Sequence, residues 1–206
     1  MRGRTFPVLS LLCALLVAAF AQEPYFPQRV LEDDAQGDSF RSNWYSKNLK
    51  ALEEPSLLQK ANASSAESHR FVWLRTFHHP VIVRVDIRAD GRAELTTKVS
   101  SGAGGYEPGK LIENTSRPLT QQQTEKFLTT IQRLRFWDLP THETPFTVGC
   151  DGSQWIIEGA KGGKYHVVDR WTPRQRAQYT ILGLPLSSDW HRRGFPRTNF
   201  TSWNSR

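Results

Sequence analysis

From Arg70 onward, apolar and polar positions alternate with a period of two. That is the signature of strands whose side chains point to opposite faces of a sheet. Phe71, Trp73 and Phe77 alternate with Val72, Leu74 and Thr76, so both faces of this stretch are largely apolar and it reads as a central strand. Val81, Val83, Val85 and Ile87 point one way, against Ile82, Arg84, Asp86 and Arg88. Ala93, Leu95, Thr97 and Val99 mirror them.

The turn between the last two runs follows from register. A two-residue Asp90-Gly91 loop would set Ile87 opposite Glu94, a core residue against a solvent residue. A three-residue loop, Ala89-Asp90-Gly91, pairs Arg88 with Arg92, Ile87 with Ala93, Val85 with Leu95 and Val83 with Thr97. Every apolar residue then meets its own face, and Gly91 takes the left-handed bulge position. The same device applied to Ala160-Lys161-Gly162 predicts a second hairpin with Ile157 opposite Tyr165, Trp155 opposite Val167 and Glu158 opposite Lys164.

Helical spacing brackets these strands. Residues 22–38 carry Pro24, Pro27 and no apolar period, and read as an extended lead. A helix is predicted from Asp38-Ser39, with Phe40, Trp44, Tyr45, Leu49 and Leu52 on its apolar strips and Pro55 as its stop. Ala61 to Ser68 reads as a small-residue linker. Thr120 with Gln123 forms a capping box ahead of the stripe Phe127, Leu128, Ile131 and Leu134. A short strand is expected near Lys110–Asn114, and a last helix from Thr172-Pro173 to Pro185. The expected fold class is α+β: an antiparallel sheet of about five to six strands built from two hairpins, with helices packed on one face.

Composition narrows the setting more than the fold. The 206 residues are 38% hydrophobic and 23% charged with net charge +7, which excludes a disordered, collagenous or multi-span membrane chain. Arg2 and Arg4, the apolar run Phe6 to Ala18 and the small-x-small Ala19-Phe20-Ala21 read as a secretory signal over 1–21. The apolar run is short for a membrane span, though an uncleaved anchor is the alternative. The organisation expected is signal 1–21, a lead with one helix and linker 22–69, an α+β domain 70–186, and a basic, aromatic tail 187–206. Cys150 is the one cysteine beyond the signal, so the exported chain has no internal disulfide and the thiol is expected to be buried.

Candidate chemistry is sparse. Gly104 to Lys110 has the G-x4-G-K spacing of a phosphate loop, but Leu111 stands where Ser or Thr should hold magnesium and no apolar helix follows. It reads as a glycine-rich loop, 101–109, with Tyr106 at its tip as a binding candidate. None of the six histidines sits at a helical i, i+4 ligand spacing, so no metal and no cofactor are expected. Alternation puts His166 and Arg170 on one face of a strand, and with Arg84 and Arg88 they are expected to form a polar patch on an exposed sheet face. Catalytic residues are not evident. Trp73, Trp137 and Trp155 fall on core stripes, whereas Trp44, Trp190 and Trp203 are freer to bind.

Asp151-Gly152-Ser153-Gln154-Trp155-Ile156-Ile157-Glu158-Gly159, Gly163 to Pro173, and Gly104-Gly105-Tyr106-Glu107-Pro108-Gly109 together resemble a group of uncharacterised exported bacterial proteins. The resemblance spans roughly Phe40 to Leu186. It implies a bacterial envelope setting and the same fold, and it carries no activity or functional residues. The expectation is a secreted or periplasmic binding module, its basic balance favouring an anionic envelope polymer or an acidic protein surface, with no nucleic acid and no membrane span after cleavage. Two other readings stand beside it. A hydrolase or metal-dependent enzyme would bring His166, His142 and Cys150 or Asp151 together. An envelope assembly factor would show an apolar patch or an open sheet edge.

Overall fold

The computed structural model describes residues 24–63, 66–142 and 151–173. Its elements run α1 (Ala35–Ala51), α2 (Leu57–Ala63), β1 (Glu67–Arg75), β2 (Val81–Ile87), β3 (Ala93–Ser100), β4 (Leu111–Leu119), α3 (Gln121–Arg133), a 3-10 turn (Phe136–Asp138), β5 (Ser153–Lys161) and β6 (Lys164–Trp171). The strands form one antiparallel sheet in the order β4-β3-β2-β1-β5-β6. This is the α+β fold that the alternation implies, with β1 internal and buried on both sides.

The β2–β3 hairpin has the predicted register: Ile87 faces Ala93, Val85 faces Leu95 and Val83 faces Thr97. Arg88 N–H donates to Arg92 O at 2.9 Å and Gly91 stands at φ +81°. The β5–β6 hairpin differs. Ile157 faces Val168, Glu158 faces Val167, and the loop is two residues, Gly162-Gly163, between Lys161 and Lys164. Both glycines have positive φ, +52° and +80°, as a type I′ turn requires. The shift from the expected pairing is three residues. An odd shift turns every side chain of β6 to the other face.

Helices cover both faces, not one. On the first face, Val83, Val85, Leu95, Trp155, Ile157 and Val168 pack under Phe127 and Ile131 of α3 and Phe136 of the 3-10 turn. The capping box on α3 is as expected, Thr120 and Gln123 each accepting the other's backbone N–H. On the second face, Val72, Leu74, Ile82, Ile156 and Val167 pack under Tyr45, Leu49 and Leu52 of α1. The lead before α1 is packed and not extended into solvent. Tyr25, Phe26 and Leu31 are buried in that second core. The carboxylate of Asp38 accepts backbone N–H bonds from Arg29 and Leu31, both at 2.9 Å, and folds the segment back over α1.

Asp34 caps α1, its side chain accepting from Gly37 N, so the helix begins at Ala35 and not at Asp38. Most of the expected linker is structured as well: α2 runs to Ala63 and β1 begins at Glu67, so the boundary placed at 69/70 falls within a strand. The strand expected near Lys110 is β4, extending to Leu119 at the sheet edge with Pro118 inside it. The signal segment, Cys150, the helix expected beyond Pro173 and the tail lie outside the described residues. Among the described residues no helix is long and apolar enough to cross a membrane.

Candidate functional site

The second face carries a buried ion network. Arg70 of β1 lies fully buried and binds Glu158 of β5 through Nη2 at 2.6 Å and Nε at 2.7 Å. Its Nη1 donates to Pro55 O and reaches Glu54. Arg84 binds Glu54 and Asp86, and Lys98 donates to the Leu52 and Glu53 carbonyls at the end of α1. Burial raises the Asp86 carboxyl, but Arg84, Lys60 and Ser68 outweigh it and bring the pKa to about 2. This network fixes the α1–α2 corner to the sheet. Breaking one partner would leave a buried charge unmatched, a loss of roughly 3–5 kcal/mol.

Arg84 is therefore consumed in the interior and does not stand on an exposed patch. Arg88 is exposed at the hairpin end. His166 and Arg170 lie on the first face, opposite Arg84, because the three-residue shift of β6 reverses their side. His166 packs edge-on to Phe136, ring centroids 5.1 Å apart, and its Nε2 has no hydrogen-bond partner. Burial is the chief cause that lowers its pKa. Arg170 donates to the carbonyls of Pro140 and Thr141, holding the chain after the 3-10 turn. The four-residue patch expected from the sequence is not assembled.

A second buried cluster joins Asp169 to Arg41 (3.2 Å), Tyr45 Oη (2.8 Å) and Gln154. Burial raises the Asp169 and Tyr45 pKa values. These groups link α1 to β6. Among the described residues, no group of three or more histidines, cysteines or carboxylates is placed to hold a metal ion.

Tyr106 is exposed on the 101–109 loop. The loop 101–109 folds on itself as a hairpin: Ser101 N donates to Lys110 O, Gly102 N to Pro108 O and Ala103 N to Glu107 O. It is then tied to the β1–β2 turn by Gly104 N to His78 O at 3.0 Å and Gly105 N to Thr76 O at 3.2 Å. His79 Nδ1 donates to Gly102 O at 2.8 Å. From α1, Trp44 Nε1 donates to Gly104 O at 2.7 Å, and Lys47 pairs with Glu107. Trp44 is thus a structural strut and not a free ring. Glycine is required at 104, where a Cβ would come within 2.8 Å of Leu74 Cα and 2.9 Å of the Arg75 backbone.

On this scaffold Phe77 and Tyr106 are exposed side by side, at 61% and 59%, with ring centroids 5.9 Å apart and planes 31° apart. The alternation of apolar residues predicts a strand position for Phe77. It falls in the turn instead, because β1 ends at Arg75. Its neighbour Arg75 lays its guanidinium 4.3 Å over the Trp73 ring. The turn spans residues 76–80, between the end of β1 at Arg75 and the start of β2 at Val81.

No known protein-family model matches the chain, and no curated protein matches it.

Proposed function

We propose that the chain is an exported binding module whose contact surface is the β1–β2 turn together with the 101–109 loop. The observation that carries this reading is the exposed Phe77–Tyr106 pair held on a loop whose backbone is hydrogen-bonded to two other elements. Large exposed rings lose solvation advantage unless something covers them, and a loop ordered in advance costs little further entropy on binding. The basic balance of the chain and the signal-like first 21 residues support an anionic partner in the envelope. The ion networks on the second face support the same reading, since their charges are matched to one another and hold elements together.

The test is sedimentation of the purified chain with insoluble bacterial wall polymer. Replacing Phe77 and Tyr106 together by Ala should lower the bound fraction about tenfold, equivalent to roughly 1.4 kcal/mol. The melting temperature should hold, because both side chains are mostly in solvent. Arg88→Ala should change neither. Equal sedimentation of the double variant and the parent chain would overturn the proposal.

A further inference from the structure

We infer that the outer edge of β4 is an interface between two copies of this chain, which pair antiparallel about Thr115 and join two six-stranded sheets into one. The inference is independent of the Phe77–Tyr106 surface.

The direction of the main chain along β4 follows from the ladder. Arg88 N–H donates to Arg92 O and Ser100 N–H to Pro80 O, so the even-numbered residues of β3 bond to β2. Hydrogen-bonding positions alternate between the two sides of a strand, so the odd-numbered residues of β3 bond to β4. Their partners are Glu113, Thr115, Arg117 and Leu119. Asn114, Ser116 and Pro118 therefore turn their main-chain groups away from the sheet. All three residues are exposed, and among the described residues no main-chain bond reaches them from outside the sheet. Pro118 loses no ladder bond at that position, which is where an edge strand tolerates proline. The other edge is covered: Asp169 N–H of β6 donates to Thr141 O at 2.7 Å, and Arg170 donates to the same carbonyl.

An open edge is a template for another strand. Two features limit its length. A bulge leaves Ile112 out of the ladder, and the Pro118 ring points toward any strand that pairs there. The window between them is Glu113 to Arg117, and it is self-complementary. An antiparallel copy centred on Thr115 sets Glu113 opposite Arg117 of the partner copy, and Arg117 opposite its Glu113. Asn114 and Ser116 of each chain exchange main-chain N–H···O bonds with Ser116 and Asn114 of the other. Both charge pairs lie on the first face, since Glu113 and Arg117 stand across from Val99 and Leu95 of that core. Moving the centre to Asn114 sets Glu113 opposite Thr115 and Arg117 opposite Leu111. Moving it to Ser116 brings Pro118 against Asn114, with no N–H to bond it. Opposite charges directly across an antiparallel pair stabilise it and like charges destabilise it. The edge thus favours a second copy over an arbitrary strand, and two-fold pairing closes the assembly at a dimer.

So short a contact gives a weak, reversible dimer, with Kd between about 1 μM and 1 mM. The experiment is sedimentation velocity of the purified chain across that range, with amide exchange read at its two ends. Exchange at Asn114 and Ser116 should slow as concentration rises. Thr115, paired with Thr97 on the inner side, should not respond. Glu113→Arg and Arg117→Glu should each weaken the dimer about tenfold or more, because each sets like charges opposite one another twice. The two variants mixed should associate with each other, and a chain carrying both reversals should dimerise as the parent does. A purely structural role for the two side chains predicts no such rescue. A chain that stays monomeric throughout would overturn the inference and leave the edge to a strand of another protein. So would a dimer that neither reversal weakens, one that mixing does not restore, or one in which exchange at Asn114 and Ser116 ignores concentration.

Discussion

His166 shows how much one residue's surroundings change its meaning. Alternation along β6 places it correctly on the same side as Arg170. That side is covered: Phe136 and Trp137 pack against the ring, and burial depresses its pKa below 6.5. Across the sheet, His69 touches Phe136 from the other flank at 5.5 Å, with Gly159 between the two histidines in the strand ladder. A Cβ on Gly159 would come within 2.5 Å of Phe136, so glycine is what lets the ring settle between them. The pH consequence follows from the sign of the shift. A base whose folded pKa is depressed favours the folded state while neutral, so its contribution is intact above its unfolded pKa of about 6.5. It is lost as pH falls from there through the folded value. The melting temperature should therefore decline below about pH 6.5, and His166→Gln should reduce that decline. A melting curve with the same pH profile in both proteins would show that His166 stays neutral or finds a partner. Nothing in a lone sequence marks this histidine as buried, because the covering residue lies thirty positions earlier in the chain.

At the scale of elements, two hairpins with similar loops gave different outcomes for one physical reason. β2 has an unambiguous pattern, valines at 81, 83 and 85 against Arg84 and Asp86, so only one register keeps these charges off the first face. β5 and β6 are buried on both faces, and their apolar residues fall at both parities. The period then carries no register information. What decides is the turn: Gly162-Gly163 can hold two successive left-handed residues. This pairing sets Lys161 opposite Lys164, and Lys161 is offset by its 2.7 Å pair with Glu67. The turn makes a clean prediction, since a Cβ at either glycine would meet nothing within 4 Å. Gly163→Ala should cost roughly 1–2 kcal/mol from left-handed strain alone, read as a lower urea midpoint. Gly162→Asn should cost far less, because Asn tolerates that conformation. Equal losses at both positions would point to strand pairing, not turn geometry, as the source. The same three-residue shift of β6 separates the expected patch, since it turns His166 and Arg170 to the face opposite Arg84.

In the whole molecule, two short segments outside the strands and the longer helices close the two cores. Both layers of core depend on residues that local patterning undervalued: the 3-10 turn on one face and the stretch before α1 on the other. Residues 24–34 lack a period because they form no helix or strand, yet each apolar residue finds a place. Phe26 packs edge-on to Tyr45 at 6.0 Å, Leu31 is fully buried, and Tyr25 Oη donates to Glu54 O at 2.8 Å. That last bond joins the segment to the α1–α2 corner, where Glu54 also meets Arg84 and Arg70. The segment is thus a lid on the second core, and periodicity cannot reveal packing that only tertiary contact enforces. Phe26→Ala should cost about 3–5 kcal/mol, a large share of the roughly 5–15 kcal/mol that stabilises a domain. A chain shortened to begin at Asp34 would lose all three apolar side chains and the two N–H bonds to Asp38, and should unfold at a much lower urea concentration. An unchanged midpoint would mean that the segment merely rests on the domain. A lowered midpoint with a reduced slope would mean that apolar surface beneath it is already open to solvent in the shortened native state.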